Sequence, residues 1–478
     1  MNNLVKTLIN RMSRVTQTPL TQKHMDILEY AHNYYEKNRV GPLYLNLKKN
    51  TGATREEIEN LFPHGLTSVY TWVGIPIQTG REICKPMAMV DVEDYREVYF
   101  DHNATSYIRD EVREKLINYY HGSYDFGNPS SSTNPGKIAY DTLQMARSRI
   151  SDCLKVNSTE IFFTGSGSEA NNMAIKGIAF QHLKNKGHII SSKVEHPSVL
   201  KTLQYLEKLG FRVTYLDIEK NGLVEAHSVK DSLTEDTLLV SLMAVNNEIG
   251  AINPVSEIGE VCKKANVPFM VDGIQGFCKI KLKPKEMGIS LLSMSGHKIY
   301  APKGVAALYV NKDISLEPLI HGGGQEFGLR SGTENVGSIM AFGLAAKLAH
   351  SEMEKENKRL LELRDYFLEG LQKIEPDIII NGSLEQRTVN NLNVGFPNID
   401  SGSLLLSLNQ IGVYVSAGSA CSAGSKEASY VIKALGVDTG RYGIIRFSFG
   451  LSNTKEDINY LFKYLPSILK QLKAEKTD

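Results

Sequence analysis

Short apolar stretches alternate with amphipathic helical segments over most of the chain. Seven of these stretches are rich in β-branched residues, and they begin at Ile161, His188, Val213, Leu238, Pro268, Leu291 and Val305. Strands that are apolar on both faces are typical of a parallel sheet covered by helices on both sides. The pattern therefore predicts an α/β fold with a mostly parallel seven-stranded sheet.

The first part of the chain has a different hydrophobic pattern, which is typical of helices. In HMDILEYAHNYYEKN the apolar residues recur at about 3.6-residue spacing, which is typical of an amphipathic helix. Within TGATREEIENLF, Thr54 precedes Glu57 by three residues, a pattern that predicts a capped helix start. We predict a small helical domain over residues 1–90, opened by an amphipathic helix in MNNLVKTLINRMSRVTQ, and a linker over 91–97.

The predicted sheet region covers residues 98–350, and the last domain covers 351–478. A long charged helix, SEMEKENKRLLELRDYFLEGLQKI, begins this last domain and connects to a small α+β region. No internal repeat or low-complexity tract is present.

Composition narrows the function classes. Of the 478 residues, 42% are hydrophobic and 22% are charged, which is ordinary for a folded globular protein. Lys and Arg number 54 against 53 Asp and Glu, so no net charge attracts nucleic acid or a membrane. No apolar run approaches the roughly 20 residues that span a bilayer. Small-molecule or protein partners and a cytoplasmic location are expected.

The five cysteines are odd in number and widely spread, without a CxxC pair. This spacing argues against a disulfide framework, and we predict no metal site. Cys153, Cys262 and Cys278 lie within or beside apolar segments and are expected to be buried. Cys421 differs, because the surrounding SAGSACSAGS has no large side chain to bury the sulfur, which favours an exposed thiol on a mobile loop.

Candidate chemistry follows three predicted strands. GSGSEANN places small residues before a helix expected to open at Glu169, which suits a phosphate but also an ordinary helix cap. Asp272 after PFMV could hold a ring nitrogen protonated or cap the next turn. Lys298 after LLSMS could form an imine with a carbonyl or be an exposed loop lysine.

These three features together are what pyridoxal 5′-phosphate requires of a protein: a phosphate cradle, a carboxylate for its pyridine nitrogen and an imine-forming lysine. In a parallel sheet, residues just after the strands meet at one edge. Their joint occurrence in strand order therefore predicts this cofactor.

From Val98 to its C-terminus the chain resembles the group I cysteine desulfurases of the class V aminotransferase superfamily. The resemblance rests on ordered motifs: YFDHNAT, FGNPSS, FTGSGSEANN, VEHPSV, VNNEIG, VDGIQ, SMSGHKIYAPKG, HGGGQEFGLRSGT, SAGSACSAGS and RFSFG. It implies a fold-type I pyridoxal phosphate enzyme, with a large domain and a small α+β domain, that acts as a homodimer.

The resemblance also implies residue roles. Lys298 would bind the cofactor covalently and move protons, Cys421 would take sulfur from the substrate as a persulfide, and His196 would stack on the ring as an acid or base. The residues implied to hold the cofactor are Gly167, Ser168, Asn247, Asp272, Gln275, Ser295, His297 and, from the other subunit, Thr333. Arg446 would clamp the substrate carboxylate, with Asn128 as a helper.

Three positions depart from the family pattern. Gly167-Ser168 and Gly273-Ile274 each stand where Ala-Thr is common, and both keep the needed donors. Ser422-Ala423 stands where Thr-Ser is usual, which leaves the loop's partner preference open.

Residues 18–85 resemble the DsrC/TusE family of small sulfur carriers. The similar features are LT before His24, the helix with YYE, Gly41-Pro42, LFP before His64-Gly65, and a tail that ends in Cys84. The resemblance implies sulfur acceptance by Cys84. The alternative is that this region is a docking or dimerisation element.

The leading hypothesis is a cysteine desulfurase that converts L-cysteine to L-alanine and passes sulfur to acceptor proteins of iron–sulfur assembly or tRNA thiolation. The alternatives are a selenocysteine lyase or another class V aminotransferase-type enzyme, and an inactive scaffold protein. The motif set retains the lysine, the carboxylate, the histidine, the arginine and the cysteine, which argues against a scaffold.

Overall fold

The computed structural model describes residues 3–38, 40–75, 88, 90, 92–122, 125–418 and 429–474. Within these residues a helical region at the N-terminus is followed by a central sheet with helices on both faces, and then by a small α+β region. Cys84 and Cys421 both lie outside the described residues.

The N-terminal region is helical, as the sequence predicts. Its helices are α1 (Asn3–Thr16), α2 (Gln22–Asn38), α3 (Tyr44–Thr51), α4 (Arg55–Leu61) and α5 (Leu66–Trp72). The predicted cap of α4 is confirmed: the Thr54 hydroxyl accepts from the Glu57 amide at 3.2 Å, and the Glu57 carboxylate accepts from the Thr54 amide at 2.8 Å. Each bond satisfies an amide that the first helical turn leaves unpaired.

Helix α1 belongs to two hydrophobic cores at once. Its Val5 and Ile9 pack with Trp72 and other apolar side chains of the N-terminal helices. Leu8, on another side of the same helix, packs into the core of the C-terminal region. The apolar positions of α1 therefore join the N-terminal helices to the rest of the chain.

The central sheet has seven strands, and all seven predicted strands are confirmed. They are β2 (Ile161–Thr164), β3 (His188–Ser192), β4 (Arg212–Leu216), β5 (Thr237–Met243), β6 (Phe269–Asp272), β7 (Leu291–Ser295) and β8 (Ala306–Val310). Their order is β2-β8-β7-β6-β5-β3-β4, and only β8 runs antiparallel to its neighbours. The sheet is therefore mostly parallel, as expected.

Helices cover both faces of this sheet because its strands are apolar on both sides. The helices of this region are α6 (Asp110–Tyr120), α7 (Asn134–Leu154), α8 (Gly167–Phe180), α9 (Pro197–Lys208), α10 (Ala226–Ser232) and α11 (Val255–Lys264). One core contains Leu143 and Ile150 of α7, and the other contains Ala174 of α8 and Leu203 of α9. This layering leaves the strand ends as the place where side chains meet a cavity.

The long connecting helix α12 spans Val336–Ile374 and begins earlier than the predicted start at Ser351. Its first half is apolar and lies in the core of the large region, with Phe342 and Ala345 fully buried. A segment buried on most sides lacks the polar stripe that reveals a helix in a sequence, so only the charged half was predicted.

The C-terminal region combines a small sheet with helices. Its elements are β9 (Ile379–Ile380), β10 (Asn391–Pro397), α13 (Ser401–Gln410), β11 (Val413–Tyr414), α14 (Tyr430–Ala434), β12 (Tyr442–Ser448) and α15 (Lys455–Ala474). Strand β10 pairs antiparallel with β12 and β9, and β11 pairs parallel with β1 (Val98–Tyr99). No helix in the described ranges combines the length and apolarity needed to cross a bilayer.

A buried ion pair fixes the loop that carries Thr333. Arg147 of α7 donates two hydrogen bonds of 2.8 Å to the Glu326 carboxylate, and both side chains are almost fully buried. The same carboxylate accepts from the Phe163 amide in β2 at 2.7 Å, and the guanidinium lies between the rings of Phe163 and Phe327. The loop is thereby tied to the sheet and to α7.

We expect Glu326→Gln to lower the free energy of unfolding by about 3–5 kcal/mol, because the Arg147 guanidinium would stay buried without its counter-charge. Urea denaturation measures this loss. The matched control is Asp236→Asn, which breaks the exposed pair with Arg212 and should lower stability far less. Equal losses in the two variants would contradict the assigned role of the buried pair.

Candidate active site

A cavity of about 210 Å³ lies at the carboxyl ends of the parallel strands. Ten of the predicted site residues line it: Gly167, Ser168, His196, Asn247, Asp272, Gln275, Ser295, His297, Lys298 and Arg446. They come from α8, the start of α9, the ends of β6 and β7, the segment after β5, and β12. The fold thus brings together groups that are far apart in the sequence.

One end of the cavity is built to bind an anion. Ser166 caps α8, its hydroxyl accepting from the Glu169 amide at 3.1 Å, so the helix begins at Gly167 rather than at the predicted Glu169. The amides of Gly167 and Ser168 lie in the first turn, where a helix leaves its N–H groups without intrahelical partners. Aligned amides and the helix dipole favour a negative group there.

Two of the departures from the family pattern touch each other in this turn. A Cβ atom added at Gly167 would lie 2.3 Å from Cδ1 of Ile274 and 3.0 Å from its Cγ1. The isoleucine therefore occupies the space that a larger residue at position 167 would need. Gly167 and Ile274 form a size-matched pair in which one residue is small because the other is large.

Asp272 is buried at the end of β6 and uses both carboxylate oxygens. One oxygen accepts from the Asn171 side-chain amide at 2.8 Å, and the other accepts from the Ile274 backbone amide at 3.0 Å. The sequence left two roles open for this residue, a turn cap and a partner for a ring nitrogen. The carboxylate caps the turn through one oxygen while it also lines the cavity.

The Lys298 amine is held by backbone carbonyl groups. Its Nζ donates to the carbonyl oxygens of Asn103 at 2.6 Å and Ala104 at 2.7 Å. The Gln275 side chain donates to the same Asn103 oxygen at 2.8 Å, and Lys279 donates to Gln275 at 3.1 Å. Burial, together with the nearby positive charges of Lys298 and Arg446, lowers the pKa of Lys279 to about 7.

His196 is neutral with a defined tautomer. Burial lowers its pKa from the ordinary value, the Asp272 carboxylate opposes this shift, and the Lys298 charge adds to it. The Ser198 backbone amide donates to Nδ1 at 3.1 Å, so Nδ1 must be an acceptor and the ring proton lies on Nε2. Burial and the neighbouring lysines likewise lower the pKa of His297 to about 4, and its Nδ1 lies 3.0 Å from the Thr105 hydroxyl.

Arg446 is 1% exposed and is held rigidly in β12. It donates to the Asp101 carboxylate at 2.5 Å and to the Asn247 backbone oxygen at 3.0 Å. Its Nε and the side-chain oxygen of Asn247 are buried and have no partner within the described part of the chain. Buried polar atoms without partners are costly, so these two groups suit a polar ligand in the cavity.

Two predicted residues are not brought into the cavity lining. Asn128 is exposed, and its side-chain oxygen accepts from the Ser130 amide at 2.9 Å. Thr333 is also exposed in this single chain, whereas the sequence assigns its contact to a second subunit. The predictions for Cys421 and Cys84 fall outside the described residues.

Several residues that position the side chains of this site were not predicted from the sequence. Asp101 and Asn103 lie in YFDHNAT, and Asn171 lies in FTGSGSEANN, so the motifs contained them without showing their contacts. Lys279 had no such marker. Its only indication was its place four residues after Gln275 in a turn that follows a strand of the sheet.

Comparisons with known proteins show the family of this chain. Residues 98–461 match the family model described as aminotransferase class-V. The chain is 43% identical over 379 residues to cysteine desulfurase IscS of Clostridium botulinum, which covers 79% of this chain and 95% of that protein. It is 45% identical over 381 residues to cysteine desulfurase IscS of Dictyoglomus turgidum, with 79% and 96% covered.

Solved structures of similar proteins have the same fold. One described as a NifS-like protein superposes with a TM-score of 0.74 at 37% identity, over 79% of this chain and all of that one. Another, described as SspA in complex with cysteine, has a TM-score of 0.67 at 35% identity, with 73% and 98% covered. The matched family begins at β1, so the N-terminal helices lie outside it. With its lysine, carboxylate and arginine gathered at the strand ends, the chain belongs to the class V aminotransferase family, whose members use pyridoxal phosphate, and within it to the cysteine desulfurases.

Proposed function

We propose that this chain converts L-cysteine to L-alanine and transfers the sulfur to Cys421 as a persulfide. The observation that carries the proposal is the convergence of the Lys298 amine, the Asp272 carboxylate and the Arg446 guanidinium on one cavity. This set suits chemistry at the Cα and Cβ of an amino acid. A selenocysteine lyase would use the same three groups. Transfer of sulfur from L-cysteine to Cys421 would distinguish a cysteine desulfurase from a selenocysteine lyase.

The donor set fits pyridoxal 5′-phosphate. The amides at the start of α8, with Ser295 and His297, would hold the phosphate, Asp272 would face the pyridine nitrogen, and Lys298 would hold the aldehyde carbon. When bound, the cofactor supplies an electron sink that stabilises negative charge at the substrate Cα. Because Asn171 and the Ile274 amide fix both oxygens of Asp272, the carboxylate is oriented before any ligand binds.

The remaining residues bind substrate and move protons. The planar guanidinium of Arg446 binds a carboxylate through two parallel hydrogen bonds, and Asp101 fixes its orientation. Lys298, held near the carbonyls of Asn103 and Ala104, is placed to carry protons to and from the substrate carbons. His196 offers its Nε2 proton to a leaving or receiving atom, because its Nδ1 is occupied by the Ser198 amide.

The described residues on either side of Cys421 support the proposal that this cysteine reaches the cavity. Ser416 pairs with Arg446 through two backbone hydrogen bonds, and Ser429, beyond the cysteine, donates to the Glu248 carboxylate at 2.6 Å. Cys421 follows Gly418 by three residues, which span at most about 11 Å. In the proposed step the thiolate attacks the substrate sulfur, the Cβ–S bond breaks, and Cβ takes up a proton to give alanine.

We further propose that the N-terminal helices form a sulfur-accepting unit of the DsrC/TusE type, with Cys84 as acceptor. These helices have a core of their own, and α1 joins them to the C-terminal region, where the Ala88 amide donates to Ser407 in α13 at 2.9 Å. Cys84 would attack the outer sulfur of the Cys421 persulfide, leaving the Cys421 thiolate. A docking or dimerisation role is the alternative for this region.

The final acceptors are proposed to be proteins of iron–sulfur assembly or tRNA thiolation. We also propose a homodimer in which Thr333 of one subunit completes the phosphate site of the other. The exposure of Thr333 in a single chain is compatible with such an exchange.

Addition of L-cysteine to the purified holoenzyme should place one extra sulfur on Cys421 and release alanine, as measured by peptide mass spectrometry and amino-acid analysis. Cys421→Ser should lose both the modification and sulfide release in the presence of a reductant. Cys262→Ser, at a fully buried thiol in α11, is the matched control and should behave as the wild type. Unchanged sulfide release from Cys421→Ser would refute the assigned sulfur acceptor.

Arg446→Lys should raise the KM for cysteine by roughly tenfold to a hundredfold, because a lysine loses a charge-assisted, two-pronged contact worth about 1.5–3 kcal/mol. Steady-state kinetics measure KM and kcat separately, and the cofactor absorbance checks that the site is intact. Arg441→Lys, at an exposed position just before the same strand, is the control. A fall in kcat with an unchanged KM would contradict the clamp.

Loading with radioactive-sulfur cysteine tests the relay. Cys84→Ser should retain persulfide on Cys421 but should pass less sulfur to a downstream acceptor, because the tethered intermediate is lost. Cys262→Ser serves as the control for loss of a thiol elsewhere. If Cys84→Ser delivers as much sulfur as the wild type, the N-terminal region does not relay it.

A further inference from the structure

Two cysteines and a histidine meet outside the active site. The Sγ atoms of Cys153 and Cys278 and a ring nitrogen of His350 all lie within 4.8 Å of one another. They belong to three different elements: the end of α7, the segment after β6, and α12. All three residues line a cavity of about 290 Å³ that is separate from the candidate active site.

The two thiols already converge on one point. Each has the Ala346 carbonyl of α12 as an acceptor, at 3.5 Å from Cys153 and 3.7 Å from Cys278, and the thiols also hydrogen-bond each other. His350 lies one helical turn beyond Ala346 on the same helix, and its side chain is exposed. The cluster therefore has two inward sulfurs and one imidazole at the mouth of a cavity.

We propose that Cys153, Cys278 and His350 form a zinc site that is completed by a water molecule. Tetrahedral zinc holds thiolate sulfurs at about 2.3 Å and imidazole nitrogen at about 2.0 Å, which places its two sulfurs about 3.8 Å apart. The observed spread of the ligand atoms needs only a small contraction to reach this geometry. On binding, the two thiol protons leave to solvent and both sulfurs coordinate as thiolates.

Charge favours a divalent ion here. Two thiolates and one Zn²⁺ are neutral in total, so the assembly avoids the cost of an uncompensated charge in a partly buried place. The lysines that line the cavity do not oppose it strongly: Lys281 is paired with Glu354 at 2.9 Å and Lys283 with Glu286 at 3.0 Å.

The backbone supplies a mild variant for testing the site. Cys278 has a φ of +56°, in the left-handed region that glycine adopts without strain. Cys278→Gly therefore removes a ligand while relieving the backbone. His350→Asn removes a second ligand at an exposed position, so neither change is expected to prevent folding.

The test is zinc retention by the full-length holoenzyme. After equilibration with zinc chloride and gel filtration, metal analysis should find about one more zinc per chain in the wild type than in Cys278→Gly or His350→Asn. Zinc should also raise the Tm of the wild type and not of these variants, because an ion that binds only the folded state stabilises it. Cys262→Ala, at a buried thiol outside the cluster, should retain zinc.

Equal zinc content in all proteins would overturn the proposal. So would a wild-type protein whose two thiols are joined as a disulfide after preparation under reducing conditions, since a disulfide cannot supply two thiolates. Cofactor absorbance and desulfurase activity are recorded in parallel, so that failure of the active-site proposal is distinguishable from failure of this one.

Discussion

The site depends on strand direction. Because β5, β6 and β7 run parallel and side by side, with Met243 paired to Asp272 and Asp272 to Ser293, their carboxyl ends meet at one edge. The residues that follow these ends are then neighbours without any further contact. Asp272 at the end of β6 and Lys298 just beyond β7 therefore line the same cavity.

Strand direction explains what the sequence revealed. The seven strands are short, β-branched and apolar on both faces, so their positions and the residues after them could be predicted. Lys298 and Asp272 drew attention because each lies at or just beyond the end of such a strand. The small residues before a helix indicated a phosphate cradle or an ordinary cap, and the family resemblance assigned Gly167 and Ser168 to the cofactor.

What the sequence could not reveal comes from segments outside this sheet. The carbonyls of Asn103 and Ala104 reach Lys298 because the chain after β1 runs along β12, where Asp101 bridges to Ser448. The same pairing brings the Asp101 carboxylate into hydrogen-bond contact with Arg446. The sequence does not indicate which backbone carbonyl will accept a hydrogen bond from Lys298. It also does not distinguish Asp101, which orients Arg446, from other aspartates.

The pair formed by Gly167 and Ile274 shows a second limit. In the sequence they were two separate departures from a family pattern, each judged by whether hydrogen-bond donors remained. In the structure the two departures depend on each other, because a methyl group at position 167 would overlap the Ile274 side chain. Ile274 also donates its backbone amide to Asp272, so the volume at the phosphate turn and the orientation of the carboxylate are linked through one residue.

The small C-terminal region links the two cysteine segments that the structure leaves undescribed. Ala88 donates to Ser407 of α13, and β11, which follows α13, leads within a few residues to Ser416 and its pairing with Arg446. Arg11 of α1 also bonds to Tyr414 in β11 and to Glu97, so the N-terminal helices are held against the same strand. Transfer between two thiols requires contact of their sulfur atoms, and the entropic cost of bringing chain ends together grows only slowly with loop length. Under the proposed relay, attachment of described residues near both cysteines to the C-terminal region would raise the effective concentration of the acceptor near the donor.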